Sequence, residues 1–555
     1  MYELTTLQDV ITSIPDGVDL AFDTETEKLY HNVLLAQFYC RAWPKAKIVM
    51  KPDNAELCIF LTTLAAKKVN VIMQNGHYDI STLRNCIPSF NFKYWEDTWY
   101  LARLAYPDLP SYSLDALYEN ILGIDIYKDN NIDKKTMQKM SWSGDISDKQ
   151  LMYASLDVVP LLDLYDKVKL AKDEFNYQLD MHTTNHCLDF QNVGMPFLPD
   201  AAIAHKVNNL YEVDMIDLPV NANSPKQVTE YLKSENSTAL TLCTMAIQGN
   251  VEAGQVKEVR TLLKQNSFIN KFLDTTKSDY IYGYFLPSTR SGRLASKEQN
   301  LQQLPRLLKH LFGYTGDNPK VLIYSDYSQL ELRCICAITG DVTMQKLFRA
   351  GDDIHDYVAR MFFGHGYTKE QRTISKHLNF NLLYGGSAKM LQSILITKAG
   401  ILVHIDELYT LKRRWLNMFP QIAEWQQRCI TDHKCGRLGA TPLGRRYKAK
   451  LMTDQMNIQN QGFGAEVSKV ALHYMMQKLP EGLLLNNFVH DSYTFTKAED
   501  GDYEEVCKMI ADCMQEAWVE CSRSTLVLDL PMPVQVCVGK NWKTIDDDYI
   551  YRLEQ

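Results

Sequence analysis

Asp326-Tyr327-Ser328-Gln329-Leu330-Glu331-Leu332-Arg333 follows an apolar run, Val321 to Tyr324, that reads as a buried strand. A carboxylate at the end of such a strand is well placed to hold a metal. Later in the chain, Phe488-Val489-His490-Asp491-Ser492-Tyr493 sets a second aspartate among apolar and aromatic residues, as in a hairpin presenting its turn into a cleft. The two aspartates are distant in sequence, yet their strands can be neighbours in one sheet. Between them runs Arg372-Thr373-Ile374-Ser375-Lys376-His377-Leu378-Asn379-Phe380-Asn381-Leu382-Leu383-Tyr384-Gly385. Arg372, Lys376, Phe380 and Tyr384 recur every four residues, and on a helix each such step advances by about 40° beyond a full turn. They form one slowly rotating stripe in which two cations precede two aromatics. That order suits a nucleotide laid along the helix, with its triphosphate at the cationic end.

The first ~175 residues alternate short β-rich runs (Leu20 to Phe22, Leu34 to Cys40, Lys47 to Met50, Val69 to Met73) with helical stretches, a mixed α/β pattern. Asp23-Thr24-Glu25 ends the first of these runs, and the period of two puts both carboxylates on one face. Alone the pair is weak, because a D-x-E should arise by chance about twice in a chain this long. A second one, Asp502 and Glu504, has no partner motif. Asp23 and Glu25 do have partners: Asn75-Gly76-His77-Tyr78-Asp79, and Tyr153-Ala154-Ser155-Leu156-Asp157 in a helical pattern. In each, the outer residues stand four apart and would share a helix face. Phosphodiester hydrolysis with two metals needs carboxylates converging on one point, and Asp23, Glu25, Asp79 and Asp157 supply four.

Together these segments resemble family A DNA polymerases of the compact phage type that carry an N-terminal DnaQ-like 3′→5′ exonuclease. The octapeptide matches the first palm motif and the Arg372–Tyr384 stripe the O-helix of the fingers; the three acidic motifs match the exonuclease set. The resemblance implies template-directed DNA synthesis from a primer with proofreading. Asp326 and Asp491 would bind metal in the palm, and Asp23, Glu25, Asp79 and Asp157 in the exonuclease. Two Mg2+ ions per site are implied, with Mn2+ able to substitute. Lys376 would act in catalysis, Tyr153 would orient the attacking water, and Asn75 would support that site. Arg372, Lys376, Phe380, Tyr384, Glu331, Gln329 and His355 would contact the dNTP. Arg293, Asn300, Gln302, Asn457, Gln461 and His490 would contact DNA, where the minor groove offers nearly the same acceptors for every pair. Glu331 falls at the family's steric gate against a ribose 2′-OH. Phe380, where some relatives have Tyr, implies poor dideoxynucleotide incorporation. Ser492, Thr453 and Asn381 depart from the family pattern, which has a Glu, an Arg and a Gly there.

The expected architecture is a multidomain α/β chain. An RNase H-like mixed α/β exonuclease domain (1–176) precedes a right-hand polymerase domain (177–555) with antiparallel-sheet palm (about 286–340 and 430–555), helical thumb (about 198–285) and helical fingers (about 341–429). Within the thumb, Ser224-Pro225-Lys226-Gln227 reads as a helix start with a capping box. The short thumb argues against an insertion that captures a processivity factor, and no 5′-nuclease domain is expected ahead of residue 1. Expected partners are primer–template DNA, dNTPs and a replisome's helicase/primase or single-strand-binding protein; the chain itself would be a monomer. A bacterial-type repair polymerase is the alternative, and a single-subunit RNA polymerase relative a weaker one, opposed by Glu331 and the exonuclease motifs.

Composition is ordinary for a soluble enzyme, with 46% hydrophobic and 23% charged residues. No apolar stretch approaches the roughly 20 residues of a membrane helix, and no signal peptide is apparent. The 13 cysteines include no C-x-x-C, which argues against zinc and disulfides and for a reducing cytoplasm. A net charge of −8 does not exclude a nucleic-acid enzyme, because binding depends on local basic stripes. Lys434, Arg437, Arg445, Arg446, Lys448 and Lys450 form one candidate stripe, with a solvated loop as the plain alternative. The acidic tail Asp546 to Asp548 supplies part of the negative sum.

Overall fold

A computed structural model describes residues 2–27, 32–142, 144–543 and 549–555; Asp546 to Asp548 lie outside them. The chain divides into two compact units. One comprises Met1–Leu188 with Gly444–Arg446, the other Asp189–Leu443 with Tyr447–Gln555.

The first unit is built on strands β1 (Tyr2–Thr5), β2 (Asp19–Glu25), β3 (Leu35–Tyr39), β4 (Ala46–Met50), β5 (Asn70–Met73) and β6 (Trp95–Asp97), in the order β1-β4-β3-β2-β5-β6. β2 runs antiparallel to β3 and parallel to β5. The four expected strands are present; β1 and β6, short and poorly alternating, were not legible in sequence. β2 is central because Leu20, Ala21 and Phe22 are buried, with Phe22 packed 5.2 Å from Phe38 and 5.4 Å from Phe92 between ring centroids. Truncating such a core Phe to Ala costs about 3–5 kcal/mol. Two helices complete the site-bearing part: α1 (His77–Cys86) after β5, and α2 (Asp148–Val158). α2 starts at a capping box in which Ser147 and Gln150 exchange side-chain and backbone hydrogen bonds.

In the second unit, β7 (Lys320–Tyr327), β8 (Leu484–Val489), β9 (Ser492–Ala498), β10 (Val534–Gly539) and β11 (Tyr551–Glu554) form an antiparallel sheet in the order β8-β9-β7-β10-β11. β7 lies at its centre, with Val321, Leu322 and Ile323 fully buried. The turn His490-Asp491 joins β8 to β9, and His490 takes the left-handed conformation (φ 59°) that so tight a connection needs. Between β7 and β8 the chain is largely helical, including α3 (Leu330–Thr339), α4 (Lys369–Leu383) and α5 (Met452–Lys478). This is the helical insertion into one sheet that the sequence predicts. A smaller cluster at Val228, Leu242, Val256 and Val259 holds helices Pro225–Leu232, Ala239–Ile247 and Val251–Thr275 together. Ser224 does cap its helix, accepting from the Gln227 N–H, but the Gln227 side chain accepts from Asn221 N–H, so the capping box is incomplete.

The structure takes Arg445 out of the basic stripe, whose other five cations are exposed. Arg445 is buried and paired with Asp180 at 2.9 Å, and Arg446 meets Glu174 at 3.4 Å, all within the first unit. Lys448 donates to the Gly436 carbonyl and Arg437 pairs with Asp432 at 2.7 Å. An Arg desolvated against a carboxylate serves packing and is not available to a phosphate backbone. Among the described residues, no helix is long and apolar enough to cross a membrane.

Candidate active sites

In the first unit, strand alternation brings Asp23 and Glu25 to one face of β2, and the four-residue spacing on α2 presents Tyr153 and Asp157 together. Asp23, Glu25 and Asp157 each offer an oxygen, all within 4.8 Å of one another. Burial raises all three carboxyls, Asp157 to about 6; mutual repulsion lifts Asp23 and Glu25 further, well above the usual range. Such a site is completed by positive charge, and an all-carboxylate donor set fits a hard cation such as Mg2+ or Mn2+.

The expected convergence of four acids holds for three. Asp79, on α1, spends Oδ1 on Thr24, accepting from its backbone N–H at 2.9 Å and its hydroxyl at 2.6 Å. It stands beside the cluster, raised to about 7 by burial, and its charge contributes to the upward shifts of Asp23 and Glu25. Asn75 does not share a helix face with Asp79. It precedes α1 in a left-handed conformation (φ 61°), where Asp97 accepts from its N–H and from that of Gly76, each at 2.9 Å.

In the second unit, Asp326 ends β7 opposite Ser492, so Asp491 in the adjoining turn lies next to it. Burial and the Asp491 charge push Asp326 well up; Tyr324 donates to it at 3.3 Å, and the Lys309 charge acts in the opposite sense. Asp491 is raised to about 6 by burial, opposed by Arg293. Glu331, on α3, is held at both oxygens: Arg293 donates to Oε1 at 2.5 Å and the Tyr384 hydroxyl to Oε2 at 2.7 Å. Ser492, in place of the family's usual Glu, donates its hydroxyl to the Val489 carbonyl across the turn.

Of the stripe on α4, Arg372, Lys376 and Phe380 lie on the helix and Tyr384 does not. Arg372 is already neutralised, with Nη2 3.1 Å from Asp353 and Nε bonded to Asp356. Tyr384 lies just past the helix end, while Lys376 is exposed and Phe380 packs 5.5 Å from the His355 ring. His355 is buried, and desolvation lowers it to about 4, so the ring is neutral at pH 7. Trp415 donates to Asn379 Oδ1 at 2.7 Å, which turns the Asn379 amide nitrogen toward His355 Nδ1 at 2.8 Å. Nδ1 is therefore the acceptor, and the ring proton sits on Nε2. Gln329, left-handed at φ 54°, donates to Asp353 at 3.0 Å.

Of the residues expected at DNA, Arg293 is engaged by Glu331, Asn300 caps the turn Leu301–Gln303, and Gln302 donates to the Phe488 carbonyl at 3.0 Å. Asn457 and Gln461 stand four apart on α5, where the buried Asn457 Oδ1 has no partner. His490 is exposed beside Asp491 and, with Arg293 and Lys469, lines a small crevice.

Several site residues escaped the sequence reading. Gln37, directly across from Asp23 on β3, donates to Asp23 Oδ2 at 2.7 Å. A lone amide in the apolar run Leu35-Ala36-Gln37-Phe38 was a usable signal. Tyr127 donates to Asp157, and Asn460 reaches both Glu331 and Tyr384; nothing local marks either.

The profile of DNA polymerase family A matches residues 201–544, and a 3′-5′ exonuclease profile matches residues 1–171. DNA polymerase I of Aquifex aeolicus is 27% identical over 483 residues, covering 78% of this chain and 81% of that protein. The thermostable DNA polymerase I of Thermus filiformis is 28% identical over 284 residues (47% of this chain), and the DNA polymerase of Bacillus phage SP01 27% over 323 residues (52%). The chain matches 32% and 35% of those two proteins. The POL domain of Pol1 from M. smegmatis, solved in complex with DNA primer-template and dNTP, superposes with a TM-score of 0.79 at 18% identity, covering 98% of this chain and 100% of that one, a likeness of fold. The chain belongs to DNA polymerase family A and carries a 3′-5′ exonuclease domain at its N-terminal end.

Proposed function

We propose that the chain extends a DNA primer along a template with dNTPs and removes mispaired 3′ ends, in phage-type replication. The observation that carries this reading is two separate carboxylate centres on one chain, one per unit, each starting at the end of a central strand. A phage enzyme among the relatives and the compact helical segment of residues 198–285 favour the phage setting.

Asp23, Glu25 and Asp157, with Asp79 beside them, would hold Mg2+ in the first unit, and Asp326 and Asp491 in the second. Bound there, the metal supplies the positive charge that phosphoryl displacement requires. Tyr153, kept protonated by burial, orients the attacking water. Arg372 and the exposed Lys376 receive the triphosphate, and neutral His355 offers Nε2–H to it. Phe380 packs on the sugar side, and Glu331, braced at both oxygens, excludes a 2′-OH. Arg293, Asn457, Gln461 and His490 face the minor groove.

A 5′-labelled primer on a longer template tests this. In Mg2+ it is expected to lengthen with dNTPs and to shorten without them, and EDTA should stop both. Shortening under both conditions would leave a nuclease and overturn the synthetic half of the reading.

A further inference from the structure

Asn460 is fully buried on α5, and its amide nitrogen lies 3.0 Å from the Glu331 backbone carbonyl and 2.9 Å from the Tyr384 hydroxyl. A carbonyl only accepts, so the Asn460 side facing it must be the NH2 group, which fixes the amide's orientation. With one hydrogen on that carbonyl and the other on Tyr384 Oη, the phenolic proton is left to point at Glu331 Oε2, 2.7 Å away. Burial and the Glu331 charge hold Tyr384 far above its usual range, so this proton stays in place. The relay therefore has one direction: Asn460 to Tyr384 to Glu331. Arg293 secures the other carboxylate oxygen at 2.5 Å.

The amide is a costly choice for this position. Its Oδ1 is buried without a partner, and an unsatisfied buried acceptor is destabilising. An apolar residue of similar size would fill the volume without that penalty, which points to a task for the two donated hydrogen bonds.

We propose that Asn460 is a positioning residue for sugar selection. It anchors the α3 backbone beneath Glu331 and orients the Tyr384 hydroxyl, so that the Glu331 side chain cannot swing aside for a ribose 2′-OH. The inference rests on Glu331 acting as the sugar gate, and a steric barrier discriminates only as well as it is braced.

The test is single-nucleotide insertion of a dNTP and the matching rNTP, read as the ratio of their kcat/KM values, which does not depend on the fraction of folded enzyme. Asn460→Leu is expected to lower the dNTP/rNTP ratio about tenfold, the scale of one or two net hydrogen bonds. Asn460→Asp keeps the shape but offers at most one donor hydrogen, so it cannot bond both the Glu331 carbonyl and the Tyr384 hydroxyl as the NH2 group does, and it should lower the ratio as well. A volume-filling role would leave Asn460→Asp near the wild-type ratio. Glu331→Ala, measured in parallel, should lower the ratio most, and adding Asn460→Leu to it should have no further effect. Wild-type ratios in both Asn460 variants with a lowered ratio in Glu331→Ala would overturn the inference and leave the gate standing. An unchanged ratio in Glu331→Ala would remove the gate, and the inference with it.

Discussion

The acids of the first unit's centre and the arginines of the second unit's handle charge in opposite ways. In the first unit three carboxylates crowd within 4.8 Å and Asp79 presses on them from beside; of the causes that shift Asp23, the Gln37 amide is the one that lowers it. In the second unit Asp326 and Asp491 repeat that crowding, but the arginines already have acids of their own: Arg372 with Asp353 and Asp356, and Arg293 with Glu331. The exonuclease centre is thus an unbalanced site whose balance comes from bound cations. In the polymerase unit Asp326 and Asp491 share that imbalance, whereas Arg372 and Arg293 are paired in advance, and on the proposed reading a triphosphate would have to exchange partners with Arg372. Like-charge crowding in low dielectric is expensive, whereas half-exposed ion pairs are cheap to open.

The strongest way to break this comparison is to remove one acid from each centre. Asp326→Ala should cut primer extension about a thousandfold or more, through loss of metal-dependent stabilisation of the transition state, while leaving 3′→5′ shortening in place. Asp23→Ala should do the reverse. A near wild-type extension rate for Asp326→Ala would show that the two centres are wrongly assigned.

A second test sharpens the contrast through acid. His355 faces Asp353 and Asp356, which raise it, and Lys376 and Arg372, which lower it, but desolvation dominates and brings it to about 4. The unfolded chain, at about 6.5, binds this proton first as pH falls. Stability is therefore complete above pH 6.5 and is lost as pH drops toward 4, by at most about 3 kcal/mol. Chemical unfolding at pH 7 and 4.5 should show a loss that His355→Gln reduces by about 2 kcal/mol. An equal loss in the variant would mean that His355 takes its proton in the folded state.

What the sequence carried and what it did not follows a physical line. Asp23 with Glu25, Tyr153 with Asp157, and Asp326 at its strand end were legible because each depends on a local period of two or 3.6 residues. Asn75 was misplaced because helical spacing was extended two residues past the helix start, into a left-handed position held by Asp97 from another strand. Arg445 looked like a surface cation because its partner, Asp180, is distant in the chain. Gln37, Tyr127 and Asn460 act through strand order and helix packing, which no motif spacing reports. Periodicity located the acids; their supporting partners are set by tertiary contacts.

The smallest expected effect bears most directly on the idea of an arginine paired in advance. On the proposed reading Arg372 would turn from Asp353 and Asp356 toward an incoming triphosphate. Asp353 also caps the helix Ile354–Phe363 through the Asp356 N–H at 2.9 Å, so changing it would disturb the backbone. The Asp356 side chain caps no helix; besides Arg372 it meets the Tyr367 hydroxyl, and it is the cleaner choice. If its carboxylate competes with the triphosphate, Asp356→Asn should lower the KM for dNTP by up to about fivefold, since a pair this exposed is worth no more than about 1 kcal/mol. The gain should shrink as salt is raised, because screening weakens the competing pair as well. Arg372→Ala should move the KM the other way. If Asp356→Asn instead raised the KM as Arg372→Ala does, Asp356 would be holding the guanidinium in its binding position, and the pairing would be part of the triphosphate site.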